Sequence, residues 1–270
     1  MNILICGDNR MYPGIELVVY SLMHHNKNVN IYIFTMDIEV KHPDGAICRY
    51  ISLGDWEKDK LRTIVRMHDK NSSICFIDTF QYYMEYFNNG VNHLSGFSPY
   101  APLRLLCDII LPHVNDILYL DCDTAITGDI SQIYYEYLAQ NTEYCAYFAP
   151  NACGGEGEMI SGVILLNLSK IRQTDFLKNA RRNYMTNIYK YPDQDALRDA
   201  GTAVRFPPTI GYCEDLNRLK ELPLIIHFTN VITPKVYDEN FTRDYFYRKF
   251  PFLSYVKDGV ELIDELNYRR

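Results

Sequence analysis

Apolar positions along this chain switch between two periods, and the switches mark out strands alternating with helices. Ile3, Leu4, Ile5 and Cys6 form a short apolar run that opens into the polar stretch Gly7-Asp8-Asn9-Arg10; Ile15, Val18, Val19 and Leu22 then recur at helical spacing. Residues 29–35 predict a second strand and residues 48–53 a third. Asp55 stands where it can cap a helix carrying Trp56, Leu61, Ile64 and Val65, and Phe76, Phe80, Tyr83 and Phe87 mark a further helix that stops by Gly90. A third helix over residues 101–111 ends at Pro112 and feeds the apolar strand Ile117-Leu118-Tyr119-Leu120. Residues 144–149 and 160–168 are strand candidates, separated by a glycine-rich loop at 151–158 whose composition makes it flexible. From Ser169 a long helix runs to about Ile188, a short one follows Tyr191-Pro192, and residues 222–228 form a late strand carrying His227. The alternation predicts an α/β domain whose sheet is largely parallel and covered by helices.

The strand at 117–120 does something an ordinary core strand has no reason to do. It drives directly into Asp121-Cys122-Asp123, two carboxylates two positions apart and therefore on one face of an extended chain. Like charges at the end of a buried strand repel each other and lose hydration, so the pattern calls for a cation between them. A solvated, capped turn is the plainer explanation of an arbitrary Asp-x-Asp; the apolar strand before it and Gly128-Asp129 behind it favour the cation.

Composition narrows the partners. At 270 residues and 47% hydrophobic content the chain can bury a large single core, and a formal charge of −7 argues against nucleic acid as the main partner. Eight cysteines without a Cys-x-x-Cys pair, several inside apolar runs, read as reduced thiols and place the chain in the cytoplasm. The opening apolar run is too short for a signal peptide, and no stretch approaches the roughly 20 apolar residues of a membrane span. The last thirty or so residues interleave Phe241, Tyr245, Phe246, Tyr247, Phe250, Phe252 and Tyr255 with Arg243, Arg248, Lys249 and Lys257. Such a segment can pack back on the core, touch the inner face of a membrane peripherally, or receive a partner.

Taken in order, the motifs resemble glycosyltransferase family 8, the retaining enzymes that include glycogenin and bacterial lipopolysaccharide galactosyl- and glucosyltransferases. The likeness spans residues 1–237, leaves 238–270 as a C-terminal appendage that reads as helical, and is most specific from Leu111 to Ile130. It implies a GT-A nucleotide-diphospho-sugar transferase fold with a mixed, mostly parallel central sheet flanked by helices. It further implies that Asp121, Asp123 and His227 hold a metal, Mn²⁺ by ligand type with Mg²⁺ as the alternative. Arg104, seventeen residues before Asp121, matches the family arginine that reaches the donor; a guanidinium can bridge carboxylate and phosphate oxygens. Ser161-Gly162-Val163 and Asn167 resemble a family strand that faces the donor, with Ile160 where an Asn is usual. Asp193-Gln194-Asp195 matches the family Asp-Gln-Asp, whose first Asp binds sugar hydroxyls and whose Gln sits beside the reacting carbon.

Cys6, Gly7, Asp8 and Asn9 resemble the loop that holds uridine, Cys122 lies between the metal carboxylates, Asn230 stands where the family has a glycine, and Lys235 lies two positions away from the family's diphosphate-binding lysine, near enough to approach the diphosphate. The implied reaction is transfer of a glucose or galactose from a UDP-sugar to a glycan, lipid-linked or protein acceptor, giving an α-linkage. Two other readings compete. The departures at Ile160 and around Lys235 fit a non-catalytic or weakly active UDP-sugar-binding protein. A haloacid-dehalogenase phosphatase also ends a strand in Asp-x-Asp, but places it near the domain start and has Thr or Val where Ala125 stands.

Overall fold

The computed structural model describes residues 1–41, 45–93, 97–140, 144–150, 159–201, 203–206, 222–228, 254–256 and 258–261. Its strands are β1 (Asn2–Cys6), β2 (Asn30–Thr35), β3 (Ile38–Lys41), β4 (Ile47–Tyr50), β5 (Ser73–Asp78), β6 (Ile117–Leu120), β7 (Thr124–Ile126), β8 (Ala146–Pro150), β9 (Met159–Leu166), β10 (Ala203–Arg205) and β11 (Ile225–His227). The helices are α1 (Tyr12–His25), α2 (Asp55–His68), α3 (Phe80–Tyr86), α4 (Cys107–Ile110), α5 (Ser131–Gln140), α6 (Leu168–Ile171), α7 (Phe176–Thr186) and α8 (Pro192–Arg198).

Seven strands form one twisted sheet in the order β10-β8-β9-β6-β1-β2-β5. β5, β2, β1 and β6 run parallel, β9 runs antiparallel between β6 and β8, and β10 is parallel to β8. This is the mixed, mostly parallel sheet expected. Period-2 alternation splits the core between its faces. Ile3, Ile5, Ile31, Ile33, Leu118 and Leu120 point toward α1 and α2. Leu4, Cys6, Phe34, Ile117 and Tyr119 point toward the layer holding Leu103, Leu106, Leu177 and Leu197.

The structure corrects several expected elements. Phe76 lies in β5, pairing in register with Ile33 of β2, so the helix begins only at Phe80. Its aromatic spacing with Phe80, Tyr83 and Phe87 imitates a helix because a strand and a helix abut at Thr79. Residues around Cys48 do not join the central sheet; β3 and β4 form a separate antiparallel hairpin. Gly54, not Asp55, precedes α2. The stretch at 101–111 starts as a 3-10 helix, Ala101–Leu106, before α4. The long helix from Ser169 is broken into α6 and α7 at Thr174, whose hydroxyl donates to the Ile171 carbonyl and accepts from the Phe176 amide. A side chain that serves both helix ends offers the backbone an alternative to continuing the helix.

The glycine-rich loop at 151–158 and nearly all of 229–270, including Asn230 and Lys235, lie outside the described residues. Of the C-terminal appendage, residues 254–256 and 258–261 are helical and pack back on the core through Val256 and Val260. No helix among the described residues is long and apolar enough to cross a membrane.

Candidate active site

β1 and β6 lie side by side and parallel, with Leu4 opposite Tyr119, so the loops leaving their carboxyl ends emerge together. In open parallel sheets ligands bind at these ends. The chain turns after Leu120, and the Asp121 amide donates to the Gly162 carbonyl of β9 at 2.8 Å. β7 then leaves the central sheet and pairs antiparallel with β11, which sets His227 opposite Thr124. The Phe228 amide closes the turn on the Asp123 carbonyl at 2.9 Å. A pairing between residues a hundred positions apart thus brings an imidazole to the two carboxylates.

His227 Nε2 lies 3.1 Å from Asp123 Oδ1 and 3.4 Å from Asp121 Oδ2. One ligand atom from each of the three residues lies within 4.8 Å of the others, a compact donor set that fits a divalent cation. Room for the ring comes from Gly162, where any Cβ would overlap the imidazole. Burial alone would lower the His227 pKa; Asp123 and Asp121 outweigh it and raise the value to about 9. Burial would likewise raise the Asp121 pKa, but Arg104 and His227 hold it well below the usual carboxylate range. The geometry therefore favours a protonated His227 beside an ionised Asp121.

Arg104 is the hub behind this trio. Arg104 is 4% exposed, and its guanidinium donates to Asp121 Oδ1 at 3.0 Å and to the Ala101 carbonyl at 2.9 Å and lies 3.4 Å from Asp193 Oδ2. It also sits 4.0 Å above the Tyr119 ring, whose hydroxyl donates to the same Asp121 oxygen at 2.5 Å. The tight 3-10 turn at Ala101–Leu106 is what points it inward. The sequence reading had Arg104 reach toward the donor and its metal-bound carboxylates; in the structure it contacts Asp121 and Asp193, and also the Ala101 and Ser161 carbonyls and the Tyr119 ring.

Asp193 and Gln194 open α8 and reach β9 from the other side. Gln194 Oε1 accepts the Ser161 amide at 3.1 Å, and Ser161 Oγ donates to Asp193 Oδ2 at 3.4 Å. Pairing between β8 and β9 shifts from Phe148–Ile164 to Ala149–Ile160, so Ser161 and Gly162 sit in an irregular bend. Such bends re-aim side chains beside active sites. Ile160 lies just before the bend, half-buried.

The loop after β1 leaves the sheet beside the strand that leads to Asp121. Asp8 is buried, accepts from Arg10 Nη2 at 2.7 Å and from the Met11 amide at 3.2 Å, while the Asn9 amide donates to the Ile51 carbonyl. Arg10 lies 4.4 Å from the Tyr50 ring centroid. The thiols of Cys6 and Cys122 point into the core, Cys122 Sγ donating to the Cys6 carbonyl at 3.2 Å. At these two positions and at Gly7 only backbone groups can meet a ligand. Gly14, at the start of α1, presses on the Cys122 carbonyl, where a Cβ has no room.

The family model described as Glycosyl transferase family 8 matches residues 2–200. The chain belongs to that family. No curated protein matches it at significance. Among solved structures it is similar to the glycosyltransferase GlyE of Streptococcus pneumoniae TIGR4, with a TM-score of 0.64 and 18% identity over 96% of this chain and 64% of that one. The galactosyltransferase LgtC, solved in complex with donor and acceptor sugar analogs, matches with a TM-score of 0.60 and 13% identity over 84% of this chain and 87% of that one. The bifunctional glycosyltransferase WbbM matches at 0.63 and 14% over 85% of this chain. This chain spans 45% of WbbM and about two thirds of GlyE. These likenesses show the fold, which is GT-A.

Three contributors escaped the sequence reading. Tyr119 was legible, since alternation puts it on the same strand face as Asp121. Thr124, whose hydroxyl donates to the Asp121 carbonyl at 2.9 Å, carries no signal of its own. Nor does the steric role of Gly162, which depends on a residue sixty-five positions later.

Proposed function

We propose that this family 8 member transfers a hexose, glucose or galactose, from a UDP-sugar to a glycan, lipid-linked or protein acceptor, with retention and hence an α-linkage. The observation that carries the proposal is the convergence of Asp121, Asp123 and His227 within 4.8 Å. Two carboxylates and an imidazole suit Mn²⁺, with Mg²⁺ as the harder alternative. When bound, the ion neutralises charge gathering on the UDP leaving group, a contribution of several kcal/mol.

The other residues divide the remaining work. Gly7, Asp8 and Asn9, with the backbone of Cys6, offer backbone groups and one carboxylate to the uridine. Arg104 fixes Asp121 and Asp193 relative to each other, so the metal side and the sugar side of the donor are held in one frame. Asp193 accepts from donor-sugar hydroxyls. Gln194 is positioned by Ser161 to steer or shield the face of the reacting carbon opposite the leaving group. No carboxylate among these residues is free of a structural task, which favours front-face attack by the acceptor over a covalent intermediate. Lys235 remains a candidate for the diphosphate, Asn230 for the donor site, and 1–237 for the catalytic domain.

Ile160 favours a second reading, a chain that binds a UDP-sugar and turns it over slowly. It supplies no polar contact where its family usually has one. A thermal-shift screen of UDP-, GDP- and CMP-sugars with and without Mn²⁺ tests both. Ligand at about 100 times its Kd adds roughly 2.7 kcal/mol to stability. The expected result is a shift with UDP-sugars that requires Mn²⁺; a shift independent of metal, or with another nucleotide, overturns the proposal. Turnover of the shifting UDP-sugar separates enzyme from binder.

A further inference from the structure

The C-terminal residues 254–256 and 258–261 dock against α1 at a place where three histidines meet. His24 and His25 at the end of α1 lie with ring centroids 4.8 Å apart, and Tyr255 sits over His24 at 4.6 Å. His68, at the end of α2, packs edge-on to Tyr20 at 4.9 Å and lies 6.3 Å from His24. Gly259 rests on Tyr20, where any Cβ would overlap the phenol, and Val256 and Val260 are buried in the core.

Tyr255 connects this junction to the site. Its hydroxyl donates to the Ile126 carbonyl at 3.2 Å and lies 3.3 Å from His25 Nε2. Ile126 belongs to β7 and pairs with Ile225 of β11, two residues before His227. Segment, junction and the two-stranded ribbon that carries a candidate metal ligand are therefore joined by hydrogen bonds.

We propose that residues 254–256 and 258–261 act as a pH-sensitive brace, with Tyr255 as a positioning residue that steadies the β7–β11 ribbon and with protonation of the histidine junction releasing it. Three imidazoles this close can all be neutral at low cost, but each added proton brings like charges together. The charged and titratable groups facing them are few: Tyr20, His24 and His25 from α1, His68 from α2, Tyr255 and Asp258 from the segment, and Asp129 after β7. Asp129 opposes the effect at His25. At His24, which stays exposed, partial desolvation and then His68 favour the neutral ring, and at His25 burial and His24 outweigh Asp129. The released state then binds more protons, so docking is complete above about pH 6.5 and weakens as the pH falls below it.

The metal arm of this proposal rests on the proposed function, whereas the docking arm stands without it. Hydrogen exchange of the amides of residues 254–261 is measured from pH 5 to 8, corrected for intrinsic rates, in the wild type and in the triple variant H24Q/H25Q/H68Q. Protection that is lost below about pH 6.5 in the wild type and is independent of pH in the variant supports the brace; equal protection at every pH in both overturns it. Y255F, which keeps the ring and loses the hydroxyl, should bind Mn²⁺ about fivefold more weakly at pH 7.5, the scale of one hydrogen bond. Unchanged Mn²⁺ affinity in Y255F overturns the positioning role. Absence of Mn²⁺ binding in the wild type instead refutes the metal site, and the exchange data still decide the brace.

Discussion

Gly162 lies beneath the imidazole of His227 so closely that the ring occupies the space of the missing side chain. The glycine is needed for room: its backbone is not left-handed, and its carbonyl accepts from the Asp121 amide. G162A should therefore displace His227 and lower Mn²⁺ affinity at least tenfold, while the sheet survives. Isothermal titration with Mn²⁺, set beside a circular dichroism spectrum, checks both halves of this expectation.

Asp123 is the carboxylate nearer His227 and has no contact with Arg104 among the described residues, so its removal isolates the metal role. D123A should reduce sugar transfer on the order of a thousandfold, if the ion supplies about 4 kcal/mol of selective transition-state stabilisation. Rates of UDP-sugar transfer and hydrolysis at saturating Mn²⁺ are the measurement. A near-normal rate would falsify the metal assignment.

Replacing Arg104 has a different signature because it is a buried cation between two acids. R104M leaves the buried Asp193 and the half-buried Asp121 without their shared partner, which should cost about 3–5 kcal/mol of stability as well as activity. R104K keeps the charge but cannot bridge both acids, and should recover part of the stability with little of the turnover. Urea denaturation paired with kinetics separates the two variants.

The imidazolium of His227 makes metal binding depend on pH in a definite direction. Its pKa of about 9 exceeds the ordinary 6.5, so in the metal-free protein its stabilising contribution is complete below about pH 6.5 and is lost as pH rises through 9. A metal must displace that proton. Mn²⁺ affinity should rise up to tenfold per pH unit between about 6.5 and 9 and then level off, with close to one proton released per ion near pH 7. Titrations in buffers of different ionisation enthalpy count the proton directly.

Lys60 and Glu16 form an ion pair at 2.9 Å between α2 and α1, fully buried and joined by the Tyr12 hydroxyl at 2.8 Å. K60M alone should destabilise the fold by about 3–5 kcal/mol, because it strands a buried carboxylate; K60M/E16L should recover most of that loss. Thermal unfolding of the two variants reads the difference, with donor binding as a control that the site is intact.

Much of this architecture could be read from the residues. The first strand, α1 and the strand leading to Asp121 are each dictated by local periodicity and so were found. Elements that depend on distant partners were not. β7, Thr124–Ile126, is too short to carry a pattern and exists because β11 pairs with it. α5 went unread, and β5 was mistaken because its Phe76 falls in step with the aromatics of the helix that follows. At the site, acids and imidazole were singled out by motif order; of their supporting partners, Tyr119 follows from strand alternation, while Thr124 and the steric role of Gly162 emerge only once inter-strand and distant contacts are known.

The pairing of β7 with β11 also fixes when the site can exist. All seven strands of the main sheet are complete by Arg205, and the family match ends at residue 200, yet the third donor arrives only with residue 227. A chain emerging from the ribosome could thus assemble its sheet while still lacking a closed cation cage. Competence would be conferred by the last ribbon to zip.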